Sequence, residues 1–175
     1  MRFDNTTITD KEIELEMLFF VPLCTHESPV DCLVVGFDNI PHQVKKISKN
    51  IAEIASIGQK GEFASENFDV IIVNNDNANK QELFRILRKD GILCMRLTED
   101  IEKQLTELGS FYRIVMPYHG MKLVFASNKY HPTADIILDR SDFLENAEYY
   151  NADIHLASFA IYEKAKKELK GMIKA

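Results

Sequence analysis

Apolar residues along the chain fall into short runs separated by polar clusters, and one run organises the rest. Val70-Ile71-Ile72-Val73 is β-branched throughout and does not alternate, as expected of a strand buried on both faces of a parallel sheet. It ends abruptly in Asn74-Asn75-Asp76-Asn77. Ligands of open α/β sheets bind just beyond the carboxyl ends of such strands, so a small-molecule site is expected at 74–77. Upstream, a helix is predicted over 10–20, with Asp10 as its N-cap and Pro22 as its stop. A first buried strand at 31–35 runs into Gly36-Phe37-Asp38-Asn39. A helix follows with Pro41 in its first turn and Ile40, Val44 and Ile47 on one face. Residues 51–57 predict another strand, and Gly58 and Gly61 bracket a turn after it. Beyond the central run, a helix over 80–89 is predicted to close on Gly91 as a left-handed cap. A strand at 92–97 and a helix at 99–108, ended by Gly109, come next. Residues 112–116 and 122–126 predict a hairpin. A helix at 134–144 and a long amphipathic helix over 152–173, with Ile154, Ala157, Ile161, Ala165 and Leu169 in register, complete the chain.

Parallel strands joined by crossover helices give an α/β fold. The closing hairpin makes it, by topological analogy, a Rossmann-like three-layer sandwich of the adenosylmethionine-dependent methyltransferase-like type, with a mostly parallel sheet and a C-terminal antiparallel hairpin. The 175 residues are expected to form one such domain. A net charge of −6 argues against a nucleic-acid partner. The longest apolar stretch, 17–24, is too short to span a membrane and contains Pro22. No signal-peptide pattern is visible. Three widely spaced cysteines, Cys24, Cys32 and Cys94, form no Cys-x-x-Cys pair and read as buried thiols of a cytoplasmic protein. His26, His42, His119 and His131 lack metal-ligand spacing.

Four segments carry a family resemblance. Tyr149-Tyr150-Asn151-Ala152-Asp153-Ile154-His155-Leu156-Ala157-Ser158-Phe159-Ala160-Ile161 resembles the C-terminal signature of spermidine synthases, Tyr-Tyr-Asn-x-x-Ile-His-x-Ala-[Ser/Ala]-Phe-Ala-Leu, with Tyr162 where a Pro usually follows. Residues 10–18 and Val21-Pro22-Leu23-Cys24-Thr25-His26 resemble that family's Asp-Glu-Phe-Ile-Tyr-His-Glu-Met-Leu and Val-Pro-Leu-x-Thr-His. Phe68-Asp69-Val70-Ile71-Ile72-Val73 is similar to Tyr/Phe-Asp-Val-Ile-Ile-Val-Asp, and Met116-Pro117-Tyr118 with Phe125-Ala126-Ser127 to Ile-Pro-Thr-Tyr and Gly-Phe-x-x-Ala-Ser. The matches keep the family's order. They imply aminopropyl transfer from decarboxylated S-adenosylmethionine to putrescine, in polyamine biosynthesis, with that nucleoside as co-substrate and no other cofactor or metal. An acidic pocket is expected, because both substrates are cations.

The same comparison assigns the candidate site. Asn74 stands at the family's catalytic Asp position, and Asp76 or Asn77 falls near a second Asp. Gly36 and Asp38 occupy a shortened glycine-rich loop on the donor side, where Phe37 is bulky. The ribose or adenine contact falls on Glu53 in one alignment and on Gln59, in the loop 56–63, in the other. Tyr118 matches a substrate-loop tyrosine, or is a half-exposed hairpin tyrosine; Asp38 and Glu53 also read as turn or solvated acids. His155 reads as a packed histidine. Residues 5–7 are read as a remnant of an N-terminal β-domain found in family members. An amide at position 74 cannot take a proton from an ammonium, so two functions are open: a weakened aminopropyltransferase with Asp76 as its acid, or a non-catalytic homologue that binds a nucleoside or polyamine or forms a homo-oligomer.

Overall fold

The computed structural model describes residues 7–58, 62–75, 78–98 and 100–175. Its centre is β3 (Phe68–Val73), buried at every residue, as the unbroken β-branched run requires. Around it lie β1 (Asp31–Val35), β2 (Asn50–Ile54), β4 (Leu87–Arg96), β5 (Ile114–Tyr118) and β6 (Leu123–Ser127). They form one six-stranded sheet in the order β2-β1-β3-β4-β6-β5. The first four strands pair in parallel, and β6 pairs antiparallel with both β4 and β5. The α/β architecture expected from the sequence, including the closing hairpin, is the one observed.

Alternate residues of each strand serve two cores. Cys32, Val34, Val70, Ile72, Cys94 and Phe125 face one side, covered by α1 (Asp10–Leu23), α2 (Val44–Ile47) and α6 (Ala152–Ser158). Leu33, Val35, Ile71, Val73, Leu93 and Val124 face the other, covered by α3 (Lys80–Ile86), α4 (Ile101–Phe111) and the segment after α7 (Glu163–Glu168). A short α5 (Leu138–Asp142) packs beside α6. Among the described residues no helix is long and apolar enough to cross a membrane.

Several boundaries differ from expectation, each for a local reason. The N-cap of α1 is Thr9, not Asp10. Its hydroxyl accepts from Glu12 N, and the Glu12 carboxylate accepts from Thr9 N at 2.8 Å, a reciprocal capping box. Pro22 lies inside the last turn of α1 rather than before its end. Of the helix expected after Pro41 only Val44–Ile47 forms, and β2 stops at Ile54. Gly58 is described, but Gly61 lies outside the described residues. Gly109 sits within α4, not at its end.

Gly91 does not cap a helix either. The chain leaves α3 at Ile86 and enters β4 at once, with a register irregularity between Phe68/Leu87 and Val70/Ile92. There Gly91 lies against β3: a Cβ would meet Leu87 Cγ at 2.7 Å and Asp69 O at 2.9 Å. The long C-terminal helix is in fact two. Phe159 packs with α6 in the first core, whereas Leu169 and Ile173 lie in the second. One straight helix cannot serve both faces of a sheet, so the chain breaks after Ser158 and passes around the β5 edge, where Lys174 bridges Val115. Gly91→Ala is expected to destabilise the protein by ~1–3 kcal/mol, the usual cost of overpacking against backbone. Urea unfolding of the variant measures it, and an unchanged midpoint would contradict the close approach.

Candidate functional site at the carboxyl edge of the sheet

Three neighbouring strands deliver three residues to one edge. The registers Val35↔Val73 and Val73↔Met95 place Gly36, Asn74 and Arg96 side by side. Gly36 turns the chain sharply off β1 with φ +79°, a left-handed conformation that favours glycine. Its N–H donates to Ile54 O at 2.9 Å. Asn74 holds the three ends together. Its backbone N–H donates to Val35 O at 2.9 Å, and its side-chain Nδ2 donates to Gly36 O at 2.9 Å. Its Oδ1 accepts from Arg96 Nε at 3.2 Å. Arg96 also pairs through Nη1 with Glu14 Oε2 of α1, and the other Glu14 oxygen accepts from Lys122 Nζ at 3.0 Å.

Asn74 and Arg96, with Lys11, Glu12, Leu15, Phe37, Asp38 and Asn39, line a cleft of ≈ 210 Å³. The Phe37 ring packs edge-on against Phe19, centroids 5.0 Å apart, so it forms a wall against the α1 core and leaves the cleft open. Partial burial pushes the Glu14 carboxyl up, but hydrogen bonds from Arg96 and Lys122 outweigh this and hold it below the ordinary range. Around the cleft stand three cations, Lys11, Arg96 and Lys122, and three carboxylates, Glu12, Glu14 and Asp38. Among the described residues the expected acidic excess is therefore not found. Asn74 brings no charge, and Arg96 offsets the nearest acid.

The candidate residues separate clearly. Asn74, Gly36 and Asp38 come together at the cleft, Asp38 exposed on its rim. Glu53 does not join them: it points to solvent from the edge strand β2. Asp76 and Gln59 lie outside the described residues. Tyr118 is neither a cleft residue nor half-exposed. It is 1% exposed, donates its hydroxyl to Met17 O at 3.2 Å and stacks on Phe159 at 4.9 Å. Burial lifts its pKa well above the ordinary value. The hairpin turns so that this tyrosine faces α1, which sequence spacing does not reveal. His155 is a packed histidine, as expected. Nε2 must carry its proton to donate to Pro132 O at 2.9 Å, and Nδ1 then accepts from the Tyr150 hydroxyl at 2.7 Å. Burial lowers its pKa to about 4, so the ring is neutral at pH 7. Among the described residues no group of three or more His, Cys, Asp or Glu is placed to hold a metal ion.

Arg96, Glu14 and Lys11 are the site residues that sequence reasoning missed. Arg96 carried a signal: it is the first polar residue after Ile92-Leu93-Cys94-Met95, the position that singled out Asn74 after its own strand. Glu14 is an acid among buried neighbours on α1.

Two outcomes follow from this geometry. Glu14→Gln leaves two cations without their shared partner and should cost ~1–2 kcal/mol, less than a fully buried pair because Lys122 is exposed. The folded pKa of Glu14 is depressed, so its contribution is complete above the unfolded carboxylate value of about 4.3 and fades as pH falls through the lower folded value. The difference between the two proteins in urea should therefore shrink on acidification; a constant difference would contradict the ion pairs. Tyr118→Phe should lose ~1 kcal/mol, one buried hydrogen bond, with no change in ligand affinity at the cleft. A large affinity loss would place the tyrosine back in the site.

No protein-family model matches the sequence. Curated relatives do. The polyamine aminopropyltransferase of Helicobacter acinonychis (strain Sheeba) is 28% identical over 93% of this chain and 79% of its own length. That of Helicobacter pylori (strain G27) is 26% identical over the same shares. These alignments run over 206 positions, more than the 175 residues of the chain, so gaps fall inside the match. Among solved structures, spermidine synthase from Thermotoga maritima superposes with a TM-score of 0.70 at 20% identity, covering 91% of this chain and 75% of that one. A spermidine synthase in complex with the transition-state analogue AdoDATO gives 0.71 at 21% identity, covering 93% and 78%. The structural likeness establishes the fold, and the sequence likeness extends over 93% of the chain. The chain is similar over nearly its whole length to polyamine aminopropyltransferases, and its fold is that of the solved spermidine synthases.

Proposed function

We propose that the chain is a spermidine synthase-like protein of the cytoplasm, one Rossmann-like domain over 1–175, whose reaction is the family's: aminopropyl transfer from decarboxylated S-adenosylmethionine to putrescine. The observation that carries this is the similarity to named polyamine aminopropyltransferases over 93% of the chain. The cleft at the carboxyl ends of β1, β3 and β4 supports it, because ligands of such sheets bind there. In the reaction the amine nitrogen attacks the carbon beside the sulfonium. A C–N bond forms, the C–S bond breaks, methylthioadenosine leaves, and the nitrogen gives up a proton. The turn at Gly36 and the rim acid Asp38 face the donor, and Asn74 stands nearest the reacting end. Asp76, two residues on in sequence, is the acid available to take the proton.

The rate follows from the side chains. Asn74 can orient an amine but cannot accept its proton, and a positioned base is worth ~10²–10⁴-fold in rate. Slow transfer is the expected activity. The Asn74–Arg96 contact favours a second reading, binding without turnover, because a guanidinium already occupies the amide oxygen.

An assay with putrescine and decarboxylated S-adenosylmethionine separates the two: methylthioadenosine released slowly but above background supports transfer, and none supports binding alone. Asn74→Asp alone should gain little. It loses the bond to Gly36 O, and its new carboxylate pairs with Arg96. Asn74→Asp with Arg96→Gln should raise turnover ~10-fold or more over the parent, part of the weight of a base. Equal turnover of both variants and the parent would remove position 74 from the chemistry.

A further inference from the structure

We infer that the β2 edge of the sheet is an interface between two copies of this chain: β2 of one copy pairs antiparallel with β2 of the other about a two-fold axis at Ala52, and the two sheets become one.

The parity of the main chain is the argument. β2 ends the sheet and pairs with β1 in unbroken register over Asn50–Ile54. Asn50 N donates to Val30 O at 3.0 Å, and Ile54 O accepts from Gly36 N at 2.9 Å. In a parallel ladder alternate residues turn both N–H and C=O toward the same neighbour, so Asn50, Ala52 and Ile54 serve β1. Ile51 and Glu53 turn theirs outward. Among the described residues nothing pairs with these outward groups. A row of unpaired main-chain groups is a template for another strand, and neither a proline nor a bulge interrupts this one.

Register and charge single out a second copy as the partner. With Ala52 facing the partner's Ala52 across the axis, Ile51 stands opposite the partner's Glu53, and Glu53 opposite the partner's Ile51. These are the residues whose main-chain groups point outward, so each pair exchanges both N–H···O bonds. No like charges face each other directly. Exposed Glu53 lies diagonal to the partner's Lys49, exposed just ahead of its strand and within reach of a long side chain. The small Ala52 takes the closer, non-hydrogen-bonded position on the axis. One short strand makes a small interface, so the dimer is weak and forms with rising concentration.

Sedimentation equilibrium of the full chain from micromolar to millimolar concentration should show a monomer passing into a dimer. Lys49→Glu should weaken the dimer severalfold, the weight of one cross-strand charge pair, and adding Glu53→Lys should restore it. Glu53→Pro removes an outward N–H and no bond to β1, and should leave the chain monomeric throughout. Should that variant fail to fold, Ala52→Cys keeps the test. A non-hydrogen-bonded pair brings its Cα atoms to ~4.5 Å, which a disulfide spans. With glutathione disulfide as oxidant, reduced to two glutathione thiols as the two cysteines join, Ala52→Cys should link into dimers much faster than Glu53→Cys. The native Cys24, Cys32 and Cys94 are buried and stay out of this reaction. A monomer at every concentration, a dimer that survives Glu53→Pro, or equal linking at positions 52 and 53 would overturn the inference.

Discussion

The side-chain amide of Asn74 makes two hydrogen bonds of opposite sense, one donated to the turn after β1 and one accepted from the last residue of β4. Only an amide fits this place without rearrangement. A carboxylate would satisfy Arg96 but oppose the Gly36 carbonyl, because both oxygens would then seek donors. The carboxyl edge of the sheet at the candidate site is thus organised around a neutral group. The positive φ of Gly36, the placement of Arg96 and the reach of Glu14 across from α1 all serve that arrangement.

The central strand and its parallel neighbours were legible because burial on both faces leaves a plain mark: Val70 to Val73 and Leu33 to Val35 are apolar without alternation. The hairpin was legible from spacing. What stayed hidden depended on tertiary partners. Gly91 looks like a helix cap in sequence, yet serves a close approach to Asp69 that no local pattern encodes. The apolar register from Ile154 to Leu169 looks continuous, but its two halves belong to opposite faces of the sheet. Tyr118 fits the family's substrate-loop position and is instead packed beneath α1.

For the candidate site, the resemblance pointed to the edge and to Asn74, and the structure supplied the charges around them. Asn74 was singled out from its place after the central run. That its oxygen is bound by Arg96, and that Arg96 is steadied by Glu14 and Lys122, required the fold, since α1, β4 and the β5–β6 turn meet there from distant parts of the chain. The fold is that of the solved spermidine synthases, while among the described residues the charges around the candidate cleft are balanced rather than acidic.

Amide hydrogen exchange of the full chain, with and without saturating methylthioadenosine, tests the location of the ligand most directly. Protection is predicted at Lys11 to Leu15, Gly36 to Asn39, Asn74 and Arg96, with the β5 edge unchanged. Protection confined to the opposite edge of the sheet, or none at all, would contradict the account.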